Sequence, residues 1–171
     1  MEWIEKWTDW NWCWYTLSSN PELTLELLER WPELPWDWRN LSGNPNLTFD
    51  WVKRFPDVKW NWGWSGISKN RKLTLEWLQK YPTQAWDMSR ISSHPDLNLK
   101  WFEYWPYKEW NWNRLSIHRN LTLAWIEKFP DKKWNWNTIH VSKKVDIEFL
   151  EKYPDKDWIY SDITLSNSTL L

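Results

Sequence analysis

Asn20-Pro21-Glu22-Leu23-Thr24-Leu25-Glu26-Leu27-Leu28-Glu29-Arg30-Trp31-Pro32-Glu33-Leu34-Pro35-Trp36-Asp37-Trp38-Arg39-Asn40-Leu41-Ser42-Gly43 is a unit that this chain repeats from end to end. Aligning Asn20-Pro21 with Asn44-Pro45, Asn70-Arg71, His94-Pro95, His118-Arg119 and Ser142-Lys143 gives a period of about 24 residues. The full units are 20–43, 44–69, 70–93, 94–117, 118–141 and 142–165. Residues 1–19 match the later part of a unit, with Glu2-Trp3-Ile4-Glu5-Lys6-Trp7 echoing Glu26-Leu27-Leu28-Glu29-Arg30-Trp31, and 166–171 form a tail. All of the 22 tryptophans except Trp10 and Trp60 then occupy four positions of the unit, and the second unit is read as carrying two extra residues around Trp60-Asn61. A period of this length points to a solenoid, a single domain over 1–171 in which each unit hides its apolar face by stacking on the next.

Within the unit, two short helices are expected. The fifth position is Thr24, Thr48, Thr74, Asn98, Thr122 or Asp146, each able to accept a backbone N–H from a first helical turn. Leu23 with Leu28, Leu47 with Val52, Leu73 with Leu78 and Leu97 with Phe102 have the spacing of a hydrophobic staple. Pro32, Pro56, Pro82, Pro106, Pro130 and Pro154 end the helix after about two turns, because proline disfavours helical geometry in the residue before it. Glu26–Arg30, Asp50–Arg54, Glu76–Lys80 and Glu148–Lys152 suit i,i+4 ion pairs on a solvated outer face. A second cap follows at Asp37, Asp87, Asn111 and Asn135, with Leu41, Ile91, Leu115 and Ile139 four residues on. The space before the next turn holds only one turn of α or 3₁₀ helix. The tryptophan before this second cap (Trp12, Trp36, Trp62, Trp86, Trp110, Trp134, Trp158) is invariant among the units, so it is placed in the core between repeats. The tryptophan after it (Trp14, Trp38, Trp64, Trp112, Trp136) drifts to Met88 and Tyr160 and is placed nearer the rim.

Short helices of this kind are marginal alone, and the tryptophans supply what stacking needs. A buried indole removes roughly 150–250 Å² from water, a gross gain of several kcal/mol at about 25 cal/mol/Å². Net charge is −1, and Cys13 is the only cysteine, so no internal disulfide forms. Met1-Glu2-Trp3-Ile4-Glu5-Lys6-Trp7 is unlike a secretory signal, and no apolar run approaches the roughly 20 residues of a membrane span. The expectation is a soluble, intracellular protein that does not enter a membrane.

The run Asn44-Pro45-Asn46-Leu47-Thr48-Phe49-Asp50-Trp51-Val52-Lys53-Arg54-Phe55-Pro56-Asp57, closing with Trp62-Gly63-Trp64 and Ile67-Ser68, resembles tandem repeats in proteins of giant DNA viruses of amoebae. That resemblance implies a viral protein of the host cytoplasm or virion and brings no mechanism. The layout is also similar to leucine-rich variant repeats, whose units alternate an α helix with a 3₁₀ helix. It implies an all-α, right-handed α-solenoid.

No catalytic constellation stands out from the repeat. His94 and His118 open neighbouring units in place of Asn, which favours turn capping over metal binding, a task needing three or four convergent ligands. His140 precedes the next turn. Ser18, Ser42, Ser68, Ser92 and Ser116 recur with the repeat and read as structural, and Cys13 has no activating partner of the kind nucleophilic catalysis requires. Neither a catalytic set, a metal site nor a cofactor is therefore expected. Two surfaces remain. The rim tryptophans Trp14, Trp38, Trp64, Trp112 and Trp136 form a candidate interaction face for a protein partner or, if exposed, a carbohydrate. Arg114, Arg119, Lys128, Lys132, Lys133, Lys143 and Lys144, with tryptophans among them, form a candidate basic patch for nucleic acid. The leading expectation is a non-enzymatic interaction or scaffold protein, with end-to-end self-assembly and nucleic-acid binding over 114–144 as its rivals.

Overall fold

The computed structural model describes the backbone of Lys6, residues 11–142 and residues 147–158. Among these residues the protein is all-α, with eleven short α-helices and one 3₁₀ turn at regular intervals. They fall in two compact units, Met1–Leu97 and Asn98–Leu171, which part inside the fourth repeat. The cap at Asp146, Lys143, Lys144, Tyr160 and the tail 166–171 lie outside the described residues, as does the side chain of His140.

Each repeat opens with a six-residue helix: Leu25–Arg30, Phe49–Arg54 and Leu75–Lys80 in the first unit, Leu99–Tyr104, Leu123–Lys128 and Ile147–Lys152 in the second. Both members of each expected staple are buried. The Thr or Asn before the helix has extended dihedrals throughout, but only Thr24 and Asn98 accept a capping bond, from the N–H groups of Leu27 and Lys100. Thr48, Thr74 and Thr122 hold the position without one. The helix ends on the residue before proline, whose dihedrals leave the helical region at Trp31, Phe55, Tyr81, Trp105 and Phe129.

Ending a helix leaves carbonyls without intrahelical partners, and the tryptophan ladder answers that need. The indole Nε1–H of Trp36, Trp60, Trp86, Trp110, Trp134 and Trp158 donates to the carbonyl five residues back, at 2.8–2.9 Å, in each case that of the residue before the proline. These six rings are between 5 and 8 % exposed.

That ladder corrects the register of the second repeat. Trp60, not Trp62, occupies the inner position, and Asn61 is the residue equivalent to Asp37 and Asp87. Its backbone N–H donates to Ser42 Oγ (2.7 Å), as those of Asp37 and Asp87 donate to Ser18 and Ser68 (both 2.9 Å). Trp62 is then the outer ring, set edge-on to Trp86 at 4.9 Å, as Trp38 is to Trp60 at 5.3 Å. The two extra residues sit in the loop Gly63–Gly66, ahead of the 3₁₀ turn Ile67–Lys69.

The second helices, Trp14–Ser18, Trp38–Leu41 and Met88–Ile91 in the first unit and Trp112–Ser116 and Trp136–Ser142 in the second, form as the capping pattern requires. Asp37, Asp87, Asn111 and Asn135 each accept from the N–H three residues on, at 2.8–3.1 Å. Successive second elements pack directly: Trp14–Ser18 on Trp38–Leu41, Ile67–Lys69 on Met88–Ile91, and Trp112–Ser116 on Trp136–Ser142.

Arg54 and Lys152 depart from the helix-spacing expectation. Arg54 reaches back one repeat to Glu29 (2.5 Å), Lys152 to Glu127 (2.6 Å) and Lys128 to Glu103. Asp50 pairs instead with Lys53 at 2.7 Å, three residues on. The neighbouring helix offers a partner as close as the next helical turn does. Exposed pairs of this kind are worth about 0–1 kcal/mol each, so they align repeats more than they hold them.

Candidate interaction surface

The repeating polar residues are consumed by the architecture. Ser42, Ser68, Ser92 and Ser116 are fully buried, and their hydroxyls donate to the carbonyls of Trp38, Trp62, Met88 and Trp112. Ser42, Ser68 and Ser116 also accept the N–H of Asn61, Asp87 and Asn135 in the following repeat. A hydroxyl satisfied on both sides is a rivet between rungs.

The turn residues work the same way. Asn44 Nδ2 donates to Ser18 O and Asn20 O (both 3.0 Å), while its Oδ1 accepts the N–H of Asn46 (2.8 Å). His94 replaces Asn with equivalent chemistry. Its Nδ1 accepts from Asp96 N–H at 3.2 Å and its Nε2 lies 3.1 Å from Asn70 O. Since Nδ1 is the acceptor, Nε2 carries the proton and donates. His118 Nδ1 likewise accepts from Asn120 N–H at 3.1 Å. His94→Asn should therefore leave the urea midpoint nearly unchanged, whereas His94→Leu, which strands the Asp96 N–H while Asn70 O keeps the N–H of Leu73, should cost about 1–2 kcal/mol.

Among the described residues no three His, Cys, Asp or Glu side chains converge as a metal site would require, and no helix is long and apolar enough to cross a membrane. Cys13 is exposed, and a 3.2 Å hydrogen bond from the Thr16 hydroxyl holds its thiol below the usual range.

The sequence-derived interaction face divides. Trp14, Trp38, Trp112 and Trp136 are half-buried, each edge-on to the inner tryptophan of the next repeat at 4.9–5.3 Å. Trp64 alone of the five stands out, 63 % exposed, with the Arg90 guanidinium 4.5 Å from its ring. The basic patch is also partly engaged: Lys128 is paired with Glu103, and Lys132 lies over the Trp112 ring at 5.8 Å. Arg114, Arg119 and Lys133 are exposed.

The structure draws attention to residues the sequence pattern passed over. Exposed large apolar side chains are Tyr15, Trp64, Tyr104, Tyr107 and Ile117. Three of them stand in the fourth repeat, and two of these occupy columns that are polar in every other full repeat. Tyr104 takes the place of Arg30, Arg54, Lys80, Lys128 and Lys152, and Tyr107 that of Glu33, Asp57, Thr83, Asp131 and Asp155. Ile117 takes that of Gly43, Lys69, Ser93, Val141 and Leu165, a column that is apolar in the last two repeats as well. Tyr107 is 98 % exposed, and the Tyr104 ring lies 5.9 Å from that of Trp105, over which Lys108 sits at 4.8 Å. The segment Tyr104–Lys108 is thus an aromatic turn with a cation at its edge. The signal was present as two breaks, Tyr104 and Tyr107, in otherwise polar columns.

Together these features define a helical repeat protein with an aromatic surface turn. No protein-family model, no curated protein and no solved structure matches the chain.

Proposed function

We propose that this protein is a right-handed α-solenoid that acts as a non-enzymatic scaffold, binding a protein partner through the fourth-repeat turn Tyr104–Lys108. The observation that carries the reading is the exchange of polar repeat residues for Tyr104 and Tyr107, with Tyr107 fully in water. A repeat protein has no internal use for such residues, whereas tyrosine and tryptophan dominate interface hot spots. The buried serines and turn histidines support a non-enzymatic role, since their hydrogen bonds are spent within the backbone framework.

The test restores the consensus. Tyr104→Lys with Tyr107→Asp puts back the residues of the fifth repeat and should leave circular dichroism and thermal midpoint unchanged. Affinity capture from the native cell should then lose a partner that the unaltered protein retains, with hot-spot losses of about 2 kcal/mol or more per anchor. Equal recovery by both proteins would refute this assignment. Growth of oligomers with concentration in sedimentation, abolished by the same double substitution, would instead assign the turn to self-assembly.

A further inference from the structure

We infer that the loop inserted in the second repeat builds a binding cleft for a phosphate-bearing ligand, an assignment independent of the proposed partner site. The insertion is the one place where a full repeat gains residues, and all 3 glycines of the chain, Gly43, Gly63 and Gly66, gather at it. At Gly43 and Gly66 the lack of a side chain is required by close approach. A Cβ on Gly66 would lie 1.9 Å from Asn61 O, and one on Gly43 would lie 2.9 Å from Ser65 O and 3.0 Å from Lys69 Nζ. The insertion therefore presses its Ser65 end against the preceding turn, and a cleft of about 370 Å³ opens beside it.

The walls of this cleft include Gly43, Gly66, Lys69, Arg71 and Lys72, and no acidic side chain lines it. Between Asp57 and Glu76 the chain carries Lys59, Lys69, Arg71 and Lys72 and no carboxylate at all. Lys72 Nζ is 3.4 Å from Asn46 O, and neither Lys69 nor Arg71 has a side-chain partner among the described residues. This distinguishes them from Lys53, Arg54, Lys128 and Lys152, which are ion-paired.

Arg71 adds a second signal. It replaces the proline of Asn20-Pro21 and Asn44-Pro45, which supplies a guanidinium and also restores a backbone N–H. That N–H has no acceptor among the described residues. A guanidinium with a free amide and two ammonium groups, at a glycine-lined wall, matches the donor set that recognises phosphate: bidentate arginine, lysine as a point charge, and backbone N–H at close approach.

On the same loop the exposed Trp64 ring, braced by Arg90, offers a plane on which a nucleobase could stack. The phosphate could come from a simple phosphorylated compound or a nucleotide, and the experiment separates them. Isothermal calorimetry in phosphate-free buffer at low salt would titrate pyrophosphate and, separately, a nucleoside triphosphate. Lys69→Ala with Arg71→Ala should weaken pyrophosphate binding at least tenfold, while Arg39→Ala with Lys80→Ala, an equal loss of exposed charge outside the cleft, should change it less than twofold. Amide resonances of Arg71 and Lys72 should shift on titration of the unaltered protein, which keeps the test decisive if the double variant folds poorly. Trp64→Ala weakening the triphosphate alone would identify a nucleotide; an equal response to both ligands would identify bare phosphate. Absence of binding at millimolar pyrophosphate, or equal loss in the two double variants, would overturn the site.

Discussion

Replacing Trp60 by alanine should destabilise the protein by about 3–5 kcal/mol, the usual cost of deleting a buried aromatic ring. Trp64→Ala, only four residues away, should cost no more than about 1 kcal/mol, the scale of an exposed cation–π contact. The contrast follows from position. Trp60 fills the space between repeats, meets the Trp38 ring edge-on at 5.3 Å and donates its indole N–H to Phe55 O at 2.8 Å. Without it, an apolar void opens and a helix-terminal carbonyl loses its donor. Trp64 is 63 % exposed and touches Arg90, so alanine there uncovers little. Urea unfolding monitored by circular dichroism reads both, with an unchanged slope showing that stability and not the extent of unfolding has moved.

The second large effect is expected from a single hydroxyl. Ser68→Ala removes the acceptor of Asp87 N–H, 2.9 Å away, and the donor to Trp62 O. Trp62 O keeps the backbone N–H of Ser68 at 3.2 Å, but the Asp87 N–H gains no substitute. A buried group left unpaired costs about 1–3 kcal/mol, so a loss on that scale is expected. Ser93→Ala makes the comparison, because that side chain is exposed and its contact with Ser89 O is long, 3.4 Å. Its effect should stay within about 0.5 kcal/mol, as for most surface changes. Equal midpoints for the two variants would show that the buried hydroxyls do not join the rungs.

Much of this was legible before any coordinates. The repeat, the proline stops, the second-helix caps at Asp37, Asp87, Asn111 and Asn135, and the turn role of His94 all follow from local chemistry that the sequence displays directly. The register of the second repeat did not, because Trp60, Trp62 and Trp64 alternate and two alignments place tryptophans correctly. The resolving signal was the residue between them. Trp60-Asn61-Trp62 reproduces Trp110-Asn111-Trp112 and Trp134-Asn135-Trp136, with a capping Asn, whereas Gly63 offers no side chain to cap with. Helical spacing likewise suggested Asp50–Arg54, but i,i+4 reasoning sees only the helix itself, and the Glu29 carboxylate one repeat back was nearer in space. The aromatic turn was missed for a related reason. Attention to the tryptophans that repeat hid the tyrosines that do not, and in a repeat protein the departures carry the individuality of the surface.

The account rests on inner indoles pinned to the helix ends of their own repeats while the outer rings meet the next rung. Hydrogen exchange of the indole N–H groups, followed by ¹⁵N NMR in deuterated water, tests this directly. Trp36, Trp60, Trp86, Trp110, Trp134 and Trp158 should keep their protons long after that of Trp64 has exchanged. A Trp60 proton lost as fast as that of Trp64, or a protected Trp64 beside a free Trp60, would contradict the ladder and the register on which the rest depends.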